Sequence, residues 1–351
     1  MRVHPKVSVI IPFYNVEESL FMGCIKSILN QSFRDFELII INDGSAEKYN
    51  ALLDRVARMD ARIFICNQKN AGVSVARNYG VEVSKGMYIA FVDADDVVHH
   101  QYLEQALDVL EKNNVEYVVG ANLEVFSNKA DYAKENALKP MDEAVPKIYE
   151  GSALIDLIPC FVAVSCIIRF LNGGYINRGT HARLLKADVA KKTLFPEGVA
   201  MGEDIIWNQY VLKLCSRVAI VENIWYYYIK NELSSVHRYR ENAVDVAQMT
   251  GVSLFESVKD VMNDGVYRAF CETVISQIRE IVFLVYLTNA KNVDPFWKKQ
   301  RFFCGLKKKY PWKYITWRYA KLGNMHDKVL FFLYWSNLYF LAAYIRDKLH
   351  R

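Results

Sequence analysis

The stretch "KVSVIIPFYN", residues 6–15, decides the fold class of the first part of the chain. It is a nearly continuous run of apolar and β-branched residues closed by Pro12, which is typical of a strand buried on both faces of a parallel sheet. Residues 17–32 follow with apolar side chains at helical spacing, and residues 36–45 form a second strand pattern that ends in Asp-Gly. A strand, a helix and a second strand are therefore predicted in the first 45 residues.

The same alternation continues along the chain. A helix is predicted at 47–59, a strand at 62–68, a helix at 74–86 and a strand from residue 87 onward. Strands that alternate with helices over the first 120 residues predict an α/β fold with a doubly wound sheet. Ligands of such sheets bind beyond the carboxyl ends of the strands, so we expect a site there. The polar residues that follow these strand patterns are Asn15, Asp43 and the cluster Asp93–Asp96.

Beyond residue 120 the pattern is less regular. The polar stretch 127–147 is predicted to be a loop or insertion. Residues 195–214 give a turn followed by an amphipathic helix, and residues 218–230 give a strand. Long helical patterns cover about 243–262 and 266–289. The later part of the chain is therefore predicted to become helical.

Composition and cysteine usage limit the class of protein. The 351 residues are 52% hydrophobic and 24% charged, as in ordinary globular proteins. The seven cysteines are scattered and contain no C-x-x-C pair, which argues against a disulfide framework or a zinc site and favours a reducing compartment. The chain enters a strand pattern at once, without the segments of a signal peptide, so we expect a cytoplasmic protein.

Charge is distributed unevenly along the chain. Residues 291–351 contain 14 Lys and Arg against three acids, a balance of +11, while the whole chain carries +5. Four of the six tryptophans lie in the same segment. Basic and aromatic residues together favour a membrane surface or an anionic polymer as partner, although a basic helical appendage on an acidic body has the same composition. No nucleic-acid recognition motif is present, so we expect no nucleic-acid partner.

Residues 329–345, "VLFFLYWSNLYFLAAYI", form the most apolar stretch of this segment. The stretch is interrupted by Ser336-Asn337 and is shorter than the roughly 20 residues that span a bilayer. Flanking basic residues, together with Trp and Tyr, favour a helix that lies in the membrane interface. We therefore predict peripheral membrane attachment, with a helix hairpin packed on the rest of the chain or a homodimer contact as the alternatives.

The stretch "YIAFVDADDVV", residues 88–98, places three aspartates directly after a strand pattern. Like charges this close repel one another unless water or a cation compensates them. Asp93 and Asp95 are two positions apart and can point to the same side. Two such carboxylates suit a hard divalent cation that also binds substrate phosphates. The alternative is an aspartate-rich turn before the helix at 99.

Other polar residues allow a ligand role and a structural role alike. Gly72 precedes a helix whose N-terminus favours an anion, and Arg77 on that helix can hold a carboxylate or a phosphate. Asp43 can accept hydrogen bonds from a base or a ribose, and Tyr14 can stack on a base. Glu203–Asp204 opens a helix, where acids ordinarily complement the helix dipole. Each of these features in isolation is also explained by a turn, a surface or a helix end.

Taken in order, five motifs resemble glycosyltransferase family 2 of the bacterial polysaccharide type, whose members are inverting enzymes with the GT-A fold. The motifs are "VSVIIPFYN", "QSFRDFELIIINDGS", "NAGVSVARNYG", "AFVDADD" and "FPEGVAMGED", and the resemblance covers about residues 5–237. It implies a Rossmann-like, mixed but mostly parallel sheet flanked by helices. The implied organisation is a GT-A domain at 1–240, with a nucleotide-binding half at 1–125 and an acceptor-binding half at 126–240, and a helical, basic and aromatic region at 241–351.

The resemblance also implies roles for individual residues. The nucleotide pocket is expected to be lined by Pro12, Tyr14, Glu17, Asp43, Asn70, Arg77 and Asp93. Asp95 would be the metal-binding carboxylate of the D-x-D motif, with Asp93 beside it and Mn²⁺ or Mg²⁺ as the cation. Asp204 would be the general base, and Glu203 its neighbour against the acceptor.

Two positions depart from the family pattern. Asn42 stands where many members have a second aspartate, and Ile229 stands where many have an arginine that faces the pyrophosphate. We expect the following segment to supply that contact through Lys230, Ser234, Ser235, His237 or Arg238. His237 is also a candidate metal ligand, with a surface histidine as the alternative.

The implied activity is transfer of a sugar from a nucleotide-sugar, with UDP expected, to a hydroxyl of a glycan or lipid-linked acceptor. The implied place is cell-surface polysaccharide synthesis at the inner face of the membrane, with a hexosyl or N-acetylhexosaminyl group transferred. One alternative is a non-catalytic nucleotide-sugar-binding or scaffold protein with the same fold. A nucleotidyltransferase is a third hypothesis, but it requires a glycine-rich phosphate loop after the first strand, and "PFYNVEES" contains no glycine.

Overall fold

The computed structural model describes residues 4–126, 130–199, 201–230, 242–278, 291–336 and 338. The chain divides into two units. The first unit takes its described residues from 1–157, 167–198 and 203–233, and the second takes them from 158–166, 199–202 and 234–351. The boundary predicted at residue 240 stays a prediction.

The first unit begins with four strands in parallel register. In sheet order β3-β2-β1-β4, each pairs with its neighbour. The strands and the helices between them are β1 (Val7–Phe13), α1 (Glu18–Leu29), β2 (Phe36–Asp43), α2 (Asn50–Ala57), β3 (Ile63–Gln68), α3 (Val73–Val83) and β4 (Tyr88–Phe91). The alternation predicted from the sequence is confirmed, except that β1 continues through Pro12 to Phe13, where it still pairs with β2.

The sheet then continues with a mixed part. The strands of this part and the helices between them are β5 (Val97–Val98), α4 (Tyr102–Lys112), β6 (Tyr117–Phe126), α5 (Ala130–Asn136), β7 (Lys147–Glu150), α6 (Ser152–Val162), β8 (Arg183–Lys186), α7 (Ala187–Lys192), α8 (Glu203–Leu214) and β9 (Arg217–Lys230). The described strands follow the order β3-β2-β1-β4-β8-β6-β9-β5, with β7 on β9. β8 is antiparallel to β4 and β6, whereas β6 and β9 are parallel. A short helix, α5, lies inside the stretch predicted to be a loop.

Apolar burial explains why β1 and β2 form the interior of the parallel part of the sheet. Every residue of β2 is buried, and every residue of β1 except Pro12. Strands buried on both faces read as continuous apolar runs rather than as alternating ones, which is the pattern seen in the sequence. A large core cluster of buried residues joins β1, β2, α1 and α4. This rigid core supports the loops at the carboxyl ends of β1, β2 and β4.

The second unit is helical, as predicted for the C-terminal region. Its helices are α9 (Ala243–Val258), α10 (Asp264–Gln277), α11 (Phe296–Leu306), α12 (Trp317–Leu322) and α13 (Met325–Trp335). The two long predicted helices start near the expected positions, but α9 ends at Val258, and residues 279–290 lie outside the described residues. Asn324 starts α13 with a capping box to Asp327.

Within the described ranges, no helix is both long enough and apolar enough to cross a membrane. The interfacial helix predicted at 329–345 begins inside α13. Residues 337 and 339–345 of that stretch lie outside the described residues.

Candidate active site

The loops after β1 and β2 are tied together by Asn15. Its backbone N–H donates to Ser45 Oγ at 3.1 Å, and its Oδ1 accepts from the Ala46 N–H at 2.9 Å. Asn15 has φ of 51°, a left-handed conformation that Asn tolerates better than most residues. Asn15 therefore fixes the loop after β1 against the loop after β2 at the carboxyl ends of these two strands.

Asp43, at the end of β2, holds the loop that leads into α3. Its Oδ1 accepts from Gln68 Nε2 and the Ala71 N–H, and its Oδ2 accepts from the Gly72 N–H, all at 2.8–2.9 Å. Asn70 Nδ2 donates to the Asp43 backbone carbonyl at 2.9 Å. Since a carboxylate oxygen can accept two hydrogen bonds, Oδ2 keeps capacity for one more donor. Asp43, only 4% exposed, thus has a structural role, and its Oδ2 retains the capacity to accept one more hydrogen bond.

Arg77 joins the aspartate cluster to the start of α8. Its Nη2 donates to Asp93 Oδ1 at 2.9 Å, and its Nη1 donates to Glu203 Oε1 at 3.2 Å. Arg77 is only 4% exposed, so both ion pairs are shielded from water. One planar guanidinium therefore brings together two acidic motifs that lie far apart in the sequence.

His181 is the second partner of Asp93. Its Nε2 lies 2.8 Å from Asp93 Oδ2, while Asn177 Nδ2 lies 3.2 Å from His181 Nδ1. Asn177 Oδ1 accepts from the Gly179 N–H at 2.7 Å, which orients the amide so that its NH₂ group faces the imidazole. Nδ1 is then the acceptor, and Nε2 carries the proton that is donated to Asp93. The ring stacks on Tyr226 with centroids 4.6 Å apart.

These contacts keep Asp93 ionised. Burial alone would raise the pKa of Asp93, but the Arg77 charge and the hydrogen bond from His181 lower that pKa well below its usual range. Both oxygens of its carboxylate are occupied by protein donors. Asp93 is therefore a fixed negative charge, oriented from two sides.

Asp96 is fully buried and bonded to β9. The Tyr226 hydroxyl donates to its Oδ2 and the Ile229 N–H donates to its Oδ1, each at 2.7 Å. Burial, with the charges of Asp95 and Asp93, raises the pKa of Asp96. Ligand atoms of Asp93, Asp96 and His181 lie within 4.8 Å of one another. Protein groups already engage these atoms, so the cluster is a hydrogen-bond network and not a free set of metal ligands.

Asp95 differs from its two neighbours. In the described part of the chain, only its own backbone N–H reaches the carboxylate. Burial, followed by the charge of Asp93, raises the pKa of Asp95 to about 6. A partly buried carboxylate oxygen without another donor suits a hard cation such as Mg²⁺ or Mn²⁺. The donor chemistry at Asp95 therefore fits the predicted metal.

Glu203 and Asp204 form the first turn of α8. Burial, followed by the charge of Asp204, raises the pKa of Glu203, while Arg77 acts in the opposite direction. Asp204 Oδ1 accepts from the Ile205 N–H at 2.8 Å, and Asn208 Nδ2 donates to the Asp204 backbone carbonyl at 2.8 Å. Among the described residues, no hydrogen bond reaches the second carboxylate oxygen of Asp204, Oδ2. The two acids are adjacent, but only Glu203 contacts Arg77.

The remaining predicted nucleotide residues lie along the carboxyl end of β1 and the start of α1. Pro12 is half-buried in β1, and Tyr14 is 53% exposed. Glu17 precedes α1, accepts from Ser19 Oγ at 2.6 Å and lines a cavity of about 730 Å³ between α1, β5 and α5. The residues that line this cavity include none of the aspartates at 93–96.

The phosphate-side residues Ser234, Ser235, His237 and Arg238 lie outside the described residues. Ile229 is a core residue, 3% exposed, so its side chain does not replace the family arginine. Lys230 pairs with Glu124 at 2.6 Å.

His181 was missed in the sequence because no motif surrounds it. The signal that identifies it is the antiparallel register of β4 and β8, in which Tyr88 pairs with Lys186 and Ile89 with Leu185. Continued beyond both strands, that register places position 181 opposite position 93. Only the pairing of the strands reveals this relationship.

Comparison with known proteins agrees with this geometry. Residues 8–170 match the family model described as glycosyl transferase family 2. The uncharacterized glycosyltransferase EpsJ of Bacillus subtilis is 30% identical over 236 residues, which are 65% of this chain and 62% of EpsJ. The chain spans between 31% and 62% of the lengths of three curated relatives that it matches.

Two solved structures share the fold. S. aureus TarS 1–349 in complex with UDP-GlcNAc gives a TM-score of 0.64 at 16% identity, covering 97% of this chain and 89% of TarS 1–349. The mannosyltransferase PcManGT of Pyrobaculum calidifontis, in complex with GDP-Man and Mn²⁺, gives a TM-score of 0.50 at 14% identity. The match covers 93% of this chain and 87% of the PcManGT chain. At such low identity these likenesses establish the fold alone, which is GT-A. Residues 8–170 therefore resemble glycosyl transferase family 2, and the chain shares the GT-A fold of the two solved structures.

Proposed function

We propose that the protein is a metal-dependent inverting glycosyltransferase. It would move a hexosyl or N-acetylhexosaminyl group from a nucleotide-sugar to a hydroxyl of a glycan or lipid-linked acceptor in cell-surface polysaccharide synthesis. The observation that carries this proposal is the buried Arg77 bridge between Asp93 and Glu203. It joins the strand end expected to hold the donor to the helix start expected to hold the acceptor.

The donor side is assigned to the loops after β1 and β2. Tyr14 would stack on the base, and Pro12, Glu17, Asp43 and Asn70 would line the base and ribose pocket. Support comes from the exposed Tyr14 ring and the remaining acceptor capacity of Asp43 Oδ2. UDP is the expected nucleotide, and the UDP-GlcNAc complex of TarS supports this donor class.

Asp95 would hold the divalent cation, with Asp93 beside it and His237 as a further candidate ligand. When bound, Mn²⁺ or Mg²⁺ neutralises charge that develops on the diphosphate leaving group. The Mn²⁺ complex of PcManGT supports manganese as one option. Ser234 and Ser235 are assigned to the phosphates. Asp93, held by Arg77 and His181, keeps its carboxylate directed and ionised beside the donor.

Asp204 is assigned as the general base. The acceptor oxygen attacks the anomeric carbon from the face opposite the diphosphate, the bond to the diphosphate oxygen breaks, and Asp204 takes the hydroxyl proton. A single displacement of this kind inverts the anomeric configuration. Glu203, held by Arg77, would orient the acceptor without moving the proton.

The proposed location is the cytoplasmic side, peripheral on the inner face of the cell membrane, where lipid-linked acceptors are displayed. Its support is the basic and aromatic composition of residues 291–351. A homodimer is compatible with this arrangement.

The test compares Asp204→Asn with Asp188→Asn. Asp188 is an exposed acid in the first turn of α7, so the same chemical change is made at another helix start. A general base contributes roughly 10²–10⁴-fold to a rate, and we expect Asp204→Asn to lose transfer by that factor. Metal-dependent thermal stabilisation by the best donor, chosen from UDP-, GDP- and dTDP-sugars, should remain in both variants.

Two results would contradict the proposal. Near-normal turnover by Asp204→Asn would remove the assigned base. Donor binding without any transfer in the wild type, across glycan and lipid-linked acceptors, would favour the non-catalytic nucleotide-sugar-binding protein.

A further inference from the structure

One side of α13 exposes large apolar side chains along its whole length. Met325, Val329, Phe332 and Trp335 are between 50% and 74% exposed and follow the spacing i, i+4, i+7, i+10. This spacing places them on one side of the helix. Trp317 of α12 is 55% exposed, and its ring centroid lies 5.7 Å from that of Trp335. These five residues are called the outer α13 face below.

The other side of α13 is well packed, so the orientation of the helix is determined. Phe331 and Tyr334 are 1% and 4% exposed. Asp327 is 2% exposed and accepts from Arg268 Nε at 2.9 Å and from the Tyr319 hydroxyl at 3.0 Å. A rotation that buried the outer face would expose these groups and break the bonds of Asp327 to Arg268 and Tyr319. The outer α13 face is therefore a stable surface feature, and contiguous apolar surface of this kind usually marks an interaction site.

Positive charge surrounds this face. Residues 291–336 contain eleven Lys and Arg against two acids, Asp294 and Asp327. Asp294 pairs with Lys298 at 2.6 Å, and Asp327 is buried with Arg268. Arg318 pairs with Asp264, which lies outside this segment, at 2.6 Å. Eleven cationic and two acidic side chains give the segment a strongly positive formal charge.

Several of these cations lie next to the apolar residues. Lys328 directly precedes Val329 on the exposed side of α13, and Lys321 is exposed on α12. Lys307 Nζ donates to the carbonyl oxygens of Tyr334 at 2.6 Å and Trp335 at 3.0 Å. That contact brings the basic run Lys307–Lys309 to the Trp335 end of the outer α13 face.

The positive charge of residues 291–336 distinguishes between two possible binding partners of the outer α13 face. A second copy of the chain, packed through the same face about a two-fold axis, would bring two strongly cationic segments together. An anionic phospholipid surface instead offers phosphates to the lysines and an apolar boundary to the aromatic rings. Tryptophan is also enriched at membrane interfaces, where its ring is partly apolar and its N–H stays hydrated.

We propose that the outer α13 face docks the protein onto an anionic phospholipid membrane. Trp317, Phe332 and Trp335 enter the headgroup boundary, and the neighbouring lysines contact lipid phosphates. The inference rests on the membrane location included in the proposed function and adds the surface, its side chains and the lipid charge. It requires no sugar transfer, so the two can be tested separately.

The experiment measures binding of the full chain to vesicles of phosphatidylcholine alone and of an equal mixture with phosphatidylglycerol. We expect the wild type to cosediment with the mixed vesicles at low salt, with a blue shift in tryptophan emission, and to dissociate as salt is raised. Phe332→Ser combined with Trp335→Ser should weaken this binding by about tenfold or more, since two aromatic rings no longer bury apolar surface in the headgroup boundary. Met249→Ser, at a 46% exposed apolar position on α9, is the matched control and should bind normally.

Three results would overturn the proposal. In the first, the wild type stays in the supernatant with mixed vesicles. In the second, the double variant binds these vesicles as well as the control does. In the third, the wild type forms a dimer that the double variant lacks, and neither binds vesicles, which assigns the face to a second copy. A thermal midpoint close to wild type confirms that the variant is folded. If vesicle binding behaves as expected while no donor is turned over, the proposed enzymatic function alone fails.

Discussion

Arg77 Nη1 donates to Glu203 Oε1 at 3.2 Å, although the two residues are 126 positions apart in the chain. Arg77 simultaneously holds Asp93, so the end of β4 and the start of α8 share one buried cation. Desolvation disfavours the charged guanidinium, whereas Asp93 and Glu203 stabilise it, and the net result is a raised pKa for Arg77. The three residues should therefore behave as one unit.

Removing this cation should destabilise the fold strongly. We expect Arg77→Met to lower the free energy of unfolding by about 3–5 kcal/mol, because Asp93 and Glu203 lose the buried cation that they share, and only Asp93 keeps another side-chain donor, His181. Adding Glu203→Gln should restore part of the loss by removing one unpaired charge. Urea unfolding at neutral pH measures both effects. Arg34→Met, at an exposed arginine, serves as control. Equal stability of Arg77→Met and the control would show that the bridge contributes nothing.

Asp95 and Asp96 should respond in opposite directions. The Asp95 carboxylate lies in the sequence between Asp93 and Asp96 and receives no hydrogen bond from another described residue. Asp95→Asn removes its negative charge, so we expect the free energy of unfolding of the metal-free protein to rise by about 1 kcal/mol. Stabilisation by UDP with Mn²⁺ should be lost in this variant. Asp96→Ala leaves the Tyr226 hydroxyl and the Ile229 N–H without their acceptor and should cost about 2–3 kcal/mol.

Thermal unfolding with and without UDP and Mn²⁺ separates these two aspartates. A destabilised Asp95→Asn protein that still gains full stabilisation from the metal would contradict the assignment of Asp95.

His181 should act through Asp93. His181→Phe keeps a ring that can stack on Tyr226 but removes the hydrogen bond to Asp93 Oδ2. Loss of one charge-directed hydrogen bond is worth about 1.5–3 kcal/mol, so we expect donor affinity or transfer to fall by about 10–150-fold. His181→Gln should recover part of this loss because its amide can donate to the same oxygen. Steady-state kinetics of both variants provide the measurement, and equal losses in both would refute a role for the donated proton.

Stability should fall in mild acid because of His99, which is 1% exposed. Burial, followed by the charge of His100, lowers the pKa of His99 to about 4. The hydrogen bond to the Lys139 carbonyl acts in the other direction and raises this pKa, but its effect is smaller. Nε2 donates to that carbonyl at 2.9 Å and Nδ1 accepts from the Gln101 N–H at 3.2 Å, so the neutral imidazole satisfies both partners.

The unfolded chain binds a proton at His99 at higher pH than the folded protein, near pH 6.5. The stabilisation is therefore complete above about pH 6.5 and is lost between about pH 6.5 and 4. When the pH falls from about 7.5 to about 5.5, His99 should lower the free energy of unfolding of the wild type by about 1.4 kcal/mol. The His99→Gln variant should not show this loss. Urea unfolding of both proteins at the two pH values gives the comparison. The same pH dependence in both would rule out this contribution.

Much of the first unit is predictable from local pattern. The continuous apolar runs of β1 and β2 and the alternation with α1 and α3 are enough to place Asp43 and Asp93 at strand ends. The position of Arg77 on a helix and of Glu203 at a helix start follows in the same way. These features depend on side-chain periodicity and turn residues, which operate over a few positions.

The apolar stretch that starts at residue 329 shows the limit of such patterns. Its composition indicates an amphipathic helix near a membrane, but no periodicity identifies which side is buried. The packing of Phe331 and Tyr334 and the burial of Asp327 against Arg268 determine that side. The outer α13 face is thus a consequence of tertiary contacts.

The sequence by itself determined the order of strands and helices, the family resemblance and the presence of three aspartates at one strand end. Only the tertiary structure decided that Asp93 is held by Arg77 and His181 and that Asp96 is bonded to β9, whereas no described residue other than Asp95 itself donates to the Asp95 carboxylate. The physical reason is the separation of the partners: 16 and 88 positions lie between Asp93 and its two donors, and 133 between Asp96 and Ile229. Such contacts depend on the antiparallel register of β4 with β8 and on the pairing of β5 with β9, which are set by the folding of the whole sheet.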